Sequence, residues 1–119
     1  MFEALERSGL VRRPIVPEAC QHNAHMYYLL LPDMAARSAL IRYLRQADIY
    51  TVFHYVPLHS SPAGRNYGRN VGDMRVTDTS ADRLLRLPMW VGITPEEQSL
   101  VAERIYRFFG RQGDFSPAT

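Results

Sequence analysis

Residues 26–31 read MYYLLL, and Pro32 and Asp33 follow them at once. Almost every residue from Ala24 to Leu31 is apolar, which is typical of a β-strand that is covered on both faces. Pro32 stops the strand, and the carboxylate of Asp33 can cap a helix by accepting a free backbone N–H. The stretch therefore predicts a central strand over 24–31, with helices on one side of the sheet and another layer on the other.

The segment after Asp33 has the spacing of an amphipathic helix. The residues of its apolar stripe are predicted to face the core: Leu40, Ile41 and Leu44, extended by Ala36 and Ala47. Its basic residues are predicted to face water: Arg37, Arg42 and Arg45. A second strand is predicted from Tyr50 to Val56, a stretch rich in Val, Phe and Tyr, and Pro57 ends it.

The pattern from residue 57 to residue 77 is irregular, because prolines and glycines recur there. A loop of this length in a compact domain is usually functional or mobile. Beyond it, Asp78 or Thr79 can cap a short helix that runs through Arg86. A short strand is predicted at Met89–Val91.

The last helix has the clearest start signal in the chain. Thr94 is predicted as its N-cap, Pro95 as its first residue and Glu97 as the partner that closes a capping box. Its buried stripe is predicted to be Leu100, Val101, Ile105, Phe108 and Phe109. Gly110 ends the helix, and residues 112–119 are expected to form a frayed tail.

The N-terminal residues are expected to form the end of a helix over Phe2–Gly9, which Gly9 stops. Pro14 and Pro17 make Arg12–Gln21 a connector or an edge strand. The order of elements predicts an α/β (α+β) fold. Its architecture would be a two-layer sandwich with a small, mostly antiparallel sheet and helices on one face.

Length and composition fit one ordinary soluble domain. The chain has 119 residues, of which 46% are hydrophobic and 22% are charged, and this is enough for one core. The longest apolar run is too short to cross a bilayer, and no signal peptide opens the chain. The single cysteine, Cys20, agrees with a reducing compartment, so a cytoplasmic location is expected.

Lysine is missing from the sequence, and all 14 residues of the basic count are arginines. The chain therefore has no side-chain amine that could form a Schiff base, and it has no P-loop lysine. The net charge of +2 is too small to indicate a nucleic-acid or membrane partner. A basic and aromatic RNA-binding strand is also missing, and the arginines alternate with acids on the predicted helices.

Donor groups for a zinc ion are present, namely Cys20, His22, His25, His54 and His59. Their spacing matches no closed structural zinc site, and residues 22 and 25 would point to opposite faces of a strand. Cys20 has no helix N-terminus beside it that would activate a nucleophile. We therefore interpret these side chains as ordinary polar residues that border strands, and no metal and no catalytic residue is assigned.

The strongest local signal is HYVPLHSSPAG at residues 54–64. A strand ends there and a proline turns the chain, while His54, Tyr55 and His59 cluster at the mouth of the loop. Imidazole and phenol groups can bind phosphate or sugar hydroxyls, and Arg65 and Arg69 could add positive charge. The alternative is a rigid turn pinned by proline with the tyrosine packed under it, and the residues alone leave both interpretations open.

Three blocks of sequence, taken with their order and spacing along the chain, indicate a resemblance to a known protein family. They are HNAHMYYL at 22–29, VFHYVPLH at 52–59 with PAG at 62–64, and RLLRLP at 83–88 followed by ITPEE at 93–97. Together the blocks span about residues 20–110, nearly the whole chain. In this the chain resembles the C-terminal domain of the DegT/StrS family of sugar-nucleotide aminotransferases.

The resemblance implies the small domain of a fold-type-I enzyme that uses pyridoxal phosphate when full-length. Residues 1–10 would be the remnant of an interdomain helix, 11–111 the small domain and 112–119 a tail. The family's cofactor-binding residues, including the Schiff-base lysine, lie in an N-terminal large domain that this sequence does not contain. The chain alone is therefore expected to bind no cofactor and to be inert.

The resemblance also implies a reaction and partners. The family's reaction of this kind transfers an amino group from glutamate to a TDP-4-keto-6-deoxyhexose, for surface polysaccharide and lipopolysaccharide synthesis. The implied substrate-binding residues are His54, Tyr55 and His59, because the family's equivalent segment lies close to the nucleotide-sugar. The full-length protein would be a homodimer, and the alternative is a free-standing module that binds a nucleotide-sugar or a protein.

Overall fold

The computed structural model describes residues 1–117, which contain a three-stranded antiparallel sheet with helices packed on it. The strands are β1 (Tyr28–Leu30), β2 (Val52–Phe53) and β3 (Leu84–Arg86), in the order β1-β3-β2. The helices are α1 (Glu3–Arg7), α2 (Met34–Arg45), α3 (Pro62–Tyr67), α4 (Arg75–Arg83) and α5 (Pro95–Phe108), with 3-10 turns at Leu58–Ser60 and Gln112–Asp114. The predicted α/β fold with a small antiparallel sheet is confirmed.

The central strand is β3, so the prediction of a central strand over 24–31 is wrong. Leu85 of β3 pairs with Leu29 on one side and with Phe53 on the other, and its side chain is fully buried. β1 begins only at Tyr28, because Ala24 has a left-handed φ of 52° that breaks the extended backbone. Within residues 1–117, the strand pairing of β1 other than that with β3 is a bridge between Arg12 and Leu30.

The segment from residue 75 to residue 91 also departs from the prediction. The helix expected to start at Asp78 or Thr79 and to run through Arg86 begins at Arg75 and ends at Arg83. Short apolar runs such as Leu84-Leu85 fit a buried helix and a buried strand equally well, and pairing with both neighbouring strands decides for the strand. Residues 89–91 form no strand.

Two more predicted elements differ in extent. The second strand, expected over 50–56, is paired only at Val52–Phe53. The stretch 57–77, expected to be irregular, holds the 3-10 turn at Leu58–Ser60, helix α3 and the start of α4.

Helix α2 is capped as predicted, since Asp33 Oδ1 accepts the N–H of Ala36 at 2.7 Å. Leu40 and Leu44 are buried. Arg37, however, does not face water as expected. Its Nη1 donates to the carbonyl oxygen of Ala81 at 2.7 Å, and its guanidinium lies 5.3 Å from the ring centroid of Phe53. This arginine therefore ties α2 to the end of α4.

Helix α5 shows the predicted capping box. Thr94 Oγ1 accepts the Glu97 N–H at 3.2 Å, and Glu97 Oε2 accepts the Thr94 N–H at 2.8 Å. Its buried residues are Val101, Ala102, Ile105 and Tyr106. Leu100 is 47% exposed, so its assignment to the buried stripe is wrong. The reason is rotational: the face that contacts the core runs through positions 101, 102, 105 and 106, and residue 100 lies at its edge.

The core lies between the Leu29–Leu85 face of the sheet and the helices, and it includes these buried side chains: Phe2, Leu5, Leu40, Leu44, Val101 and Ile105. Gly9 ends α1 with a φ of 69°, as predicted. Near the C-terminus, in the stretch expected to fray, Phe115 packs on Tyr106 with ring centroids 5.5 Å apart. Residues 118–119 of that tail lie outside the described residues.

The opposite face of the sheet presents Tyr28, Arg86 and Val52 side by side, because each pairs with its neighbour in register. Across residues 1–117, none of the helices combines the length and apolar character needed to span a membrane.

Candidate functional site

The loop segment, which we define as residues 54–74, leaves the sheet at the end of β2 and ends where α4 begins. Its first turn is fastened by its own residues. The carbonyl oxygen of Pro57 accepts three hydrogen bonds of 3.1 Å, from Ser60 Oγ and from the backbone N–H groups of Ser60 and Ser61. The turn is therefore closed, as the proline-pinned interpretation requires.

Helix α3 is seated directly on this turn. Ser61 Oγ caps the helix by accepting the N–H of Gly64 at 2.9 Å, and it donates to the carbonyl oxygen of Leu58 at 2.8 Å. A Cβ on Gly64 would lie only 1.6 Å from that same carbonyl oxygen. Only glycine allows this close approach, so position 64 fixes how α3 packs on the turn.

His54 and Tyr55 lie together at the end of β2, with ring centroids 5.0 Å apart. The Nδ1 atom of His54 is buried and makes no hydrogen bond within the described chain. Tyr55 is 73% exposed, so it is not packed beneath the turn. The strand end thus displays one exposed phenol beside an imidazole that has an unused buried nitrogen.

His59 lies apart from this pair in its contacts, because it binds Asp78. Its Nε2 is 3.0 Å from Asp78 Oδ1, and its side chain is only 17% exposed. From the sequence, Asp78 is predicted only as a helix cap. The residue is instead inside α4 and serves as the partner of a predicted site residue. No signal in the sequence could reveal this contact, since it depends on the packing of two segments that are far apart along the chain.

An open cavity of about 320 Å³, here called the loop cavity, lies between the 3-10 turn and α4. It is lined by Leu58, His59, Gly64, Gly68, Arg69, Asn70, Val71, Met74 and Thr77. Of the predicted residues, the cavity therefore brings together His59 and Arg69, while His54, Tyr55 and Arg65 do not line it. Asn70 and Thr77 are polar lining residues that the prediction missed.

The five zinc-donor residues do not converge, and residues 1–117 contain no group of three His, Cys, Asp or Glu side chains arranged to hold a metal ion. His22 and His25 are used in local turns. His22 Nδ1 accepts the N–H of Ala24 at 2.8 Å, and His25 Nδ1 lies 2.8 Å from Asn23 Oδ1. Cys20 is exposed beside them.

A second open cavity, of about 390 Å³, lies next to the N-terminus. Most of its lining is apolar: Met1, Phe2, Tyr27, Leu87, Pro88, Met89, Ile93 and Val101, with Gln98 as the polar exception. Burial raises the pKa of the Tyr27 phenol, so this hydroxyl stays protonated well above neutral pH. The lining suits an apolar group and carries no charged side chain.

The polar composition of the loop cavity defines its chemistry. Arg69 can contact phosphate through a planar guanidinium, and His59 and Asn70 can exchange hydrogen bonds with hydroxyl groups. A lysine amine, the group that holds pyridoxal phosphate covalently, is not available anywhere in this sequence. The chain's own residues thus fit the binding of a polar, anionic ligand and do not fit covalent attachment of that cofactor.

Comparison with known proteins identifies the family of this chain. The DegT/DnrJ/EryC1/StrS aminotransferase family model matches residues 3–106. This chain belongs to that aminotransferase family.

Individual relatives are similar in sequence or in structure. A pleiotropic regulatory protein of Geobacillus stearothermophilus is 30% identical over 101 residues, which cover 84% of this chain and 26% of that protein. A DegT DnrJ EryC1 StrS aminotransferase from Brucella abortus superposes with a TM-score of 0.76 at 26% identity, over 92% of this chain and 28% of its own. NtdA of Bacillus subtilis, solved with bound PMP, superposes equally well at 19% identity, over 92% of this chain and 25% of its own. The chain thus spans about a quarter of the length of these proteins.

Proposed function

We propose that this chain is the small domain of a nucleotide-sugar aminotransferase, and that its loop segment covers the substrate in the whole enzyme. The observation that carries the proposal is the loop cavity, which is lined by a mostly buried imidazole, an arginine and an amide. The reaction would be amino transfer from glutamate to a TDP-4-keto-6-deoxyhexose, for the synthesis of surface polysaccharide.

A finer assignment rests on resemblance at two places. The His22-Asn23-Ala24-His25 start and the Pro62-Ala63-Gly64 sequence are most similar to the transaminase that makes TDP-4-amino-4,6-dideoxygalactose. That enzyme serves enterobacterial common antigen, a lipopolysaccharide-related surface polymer. We extend the proposal to this pathway and to a homodimeric cytoplasmic enzyme.

Pyridoxal phosphate would belong to the whole enzyme, as the PMP bound to NtdA suggests. Because the chain has no lysine, we assign no chemical step to its residues. Their role is to bind and orient. Arg69 would contact phosphate, His59 would contact a sugar hydroxyl, and His54 and Tyr55 would contact the ligand from the strand end.

The enzymatic proposal is tested first by sequencing the source DNA upstream of the codon for Met1 and then by an activity assay. If an in-frame coding sequence with a family-type lysine precedes the codon for Met1, the longer product should transfer the amino group of glutamate to a TDP-4-keto-6-deoxyhexose. The variants His54→Ala, Tyr55→Phe and His59→Ala should raise the KM for the sugar nucleotide. His25→Ala is the matched control, because His25 lies on the exposed segment outside the loop. A longer product that leaves the sugar nucleotide unchanged would contradict the proposal.

A second candidate is a free-standing module that binds a nucleotide-sugar. It is favoured by the presence of His59, Arg69 and Asn70 together in the lining of the loop cavity. It predicts that TDP-glucose shifts the NMR signals of the loop segment in the isolated chain, and that His59→Ala weakens binding by about fivefold, the effect of one hydrogen bond. An unchanged spectrum at millimolar ligand would exclude this candidate.

A further inference from the structure

The contact between His59 and Asp78 joins the two walls of the loop cavity. His59 lies in the 3-10 turn, and Asp78 lies in α4, with 3.0 Å between Nε2 and Oδ1. Each of the two residues is preceded in the sequence by a residue that lines the cavity. Leu58 belongs to the wall of the turn, and Thr77 belongs to the wall of α4. The width of the cavity therefore depends on this bond.

Few other interactions hold the loop segment in place. Residues 65–73 are exposed throughout, so little apolar packing restrains them. The principal contact of α3 is with the 3-10 turn on which it sits, and not with α4. The His59–Asp78 bond is therefore the polar tie through which the turn and α3 are fixed to α4.

The same bond decides which hydrogen-bonding group His59 can offer. An ionised carboxylate can only accept, so the Nε2 atom that faces Asp78 must carry the proton. In a neutral ring Nδ1 is then left as an acceptor. An acceptor binds a hydroxyl group well and repels a phosphate oxygen, which has no proton to give.

From this geometry we infer that Asp78 is a positioning residue for the loop cavity. It fixes the orientation of the His59 ring so that Nδ1 accepts a hydrogen bond from a hydroxyl of the sugar. Arg69, which lines the same cavity, binds the phosphate. The inference rests on the proposed function and deepens it. It divides the cavity into a part that recognises sugar hydroxyls and a part that recognises phosphate.

Asp78 also lies in the first turn of α4, where any carboxylate is favourable because of the helix dipole. A role confined to that effect would change the stability of the helix but not the choice of ligand. The test therefore needs a measurement of ligand preference and a direct observation of the imidazole ring.

The experiment compares this chain with Asp78→Ala, Asp78→Asn and the control Asp82→Ala, which removes an exposed carboxylate one turn further along α4. NMR at about pH 8, where an ordinary imidazole is neutral, records the ring Nε2–H of His59 and the amide exchange of the loop segment. The affinities for TDP-glucose and for TDP are then measured for each variant.

The unaltered chain should show a protected Nε2–H signal and should bind TDP-glucose more tightly than TDP. Asp78→Ala should lose the signal, speed amide exchange in the loop segment and weaken TDP-glucose binding about fivefold, the effect of one hydrogen bond. Its affinity for TDP should stay the same. Asp78→Asn should recover part of the preference, because its amide oxygen still accepts, and Asp82→Ala should change nothing.

Two results would overturn the inference. One is an Asp78→Ala variant whose ring signal and loop exchange match those of the unaltered chain, and the other is an equal loss of affinity for both nucleotides. If neither nucleotide binds any variant, the free-standing binding module is excluded, and the proposed role in the whole enzyme is decided by the assay of the longer product. The ring signal and the loop exchange then still decide whether Asp78 holds His59.

Discussion

On the helix-packed face of the sheet, Leu85 is fully buried and pairs with strands on both sides. In the loop segment, by contrast, order comes from short polar ties such as those of Ser61 and from the single bond between His59 and Asp78. The first region is held by apolar contacts between residues that are distant in sequence. The second is held mainly by hydrogen bonds between near neighbours.

The difference suggests separate duties for the two regions. Buried apolar contacts fix a structure strongly and are lost only when the domain unfolds. Exposed hydrogen bonds contribute about 1 kcal/mol each and open locally. The loop segment can therefore rearrange around a ligand while the sheet and its helices keep their positions.

The largest expected effect comes from Leu85→Ala. Removing a fully buried leucine side chain from the central strand should lower the free energy of unfolding by about 2–5 kcal/mol, a large part of what a domain of this size has. Urea denaturation measures it. The control Val91→Ala changes a fully exposed side chain and should stay within about 0.5 kcal/mol. A loss for Leu85→Ala no larger than for the control would show that β3 is not the centre of the core.

Gly64→Ala should break the loop segment without breaking the core. The added Cβ would overlap the Leu58 carbonyl oxygen, so the turn must open at a cost of about 1–3 kcal/mol. Amide exchange should rise across residues 58–67 and stay unchanged in α5. The control Gly113→Ala meets no atom within 4 Å and should leave exchange as it was. Equal rises in both regions would mean that loop and core are one cooperative unit.

The Thr94→Ala variant measures how much one local hydrogen bond contributes to stability in addition to the packing of the core. It removes one half of the capping box of α5 and should cost about 1 kcal/mol of stability. Thermal or urea unfolding measures the change. Thr79→Ala, at an exposed position inside α4, is the matched control and should change stability by no more than about 0.5 kcal/mol. A silent Thr94→Ala would mean that core packing alone fixes where α5 begins.

The smallest effect concerns Glu6, whose carboxyl pKa is held below its ordinary value of 4.5 by hydrogen bonds from the Arg13 backbone N–H and from the Arg13 side chain. A lowered pKa in the folded state stabilises the protein above the unfolded value, and the contribution is lost as the pH falls through the folded value. The stability difference between this chain and Glu6→Gln should therefore shrink from about pH 6 to about pH 3.

The comparison for Glu6 is Glu18→Gln, which changes an exposed carboxylate on the connector. Its stability difference should stay flat over the same pH range. A Glu6→Gln difference that is equally flat would show that the Arg13 hydrogen bonds do not favour the ionised carboxylate in solution.

The elements that could be predicted from the sequence are those fixed by a few neighbouring residues. The caps at Asp33 and Thr94 and the stop at Gly9 follow from local hydrogen bonds and backbone preferences, and all three are confirmed. The predicted roles of His54, Tyr55 and His59 in substrate binding stay predictions.

The features that could not be predicted depend on distant partners. Leu84 and Leu85 fit a helix as well as a strand until β1 and β2 are in place on either side. Arg37 looks like a solvent-facing residue until the end of α4 supplies the carbonyl oxygen of Ala81. Likewise, the role of Asp78 appears only when the 3-10 turn brings His59 to it.

The strand order also determines when the sheet can form during synthesis of the chain. β1 and β2 both pair with β3, which is the last strand within residues 1–117. On the ribosome the two earlier strands must therefore wait, with the Arg12–Leu30 bridge as the one available pairing, until residues 84–86 have emerged. Until then the apolar run at residues 26–31 has unpaired edges, which leaves it open to pairing with other nascent chains.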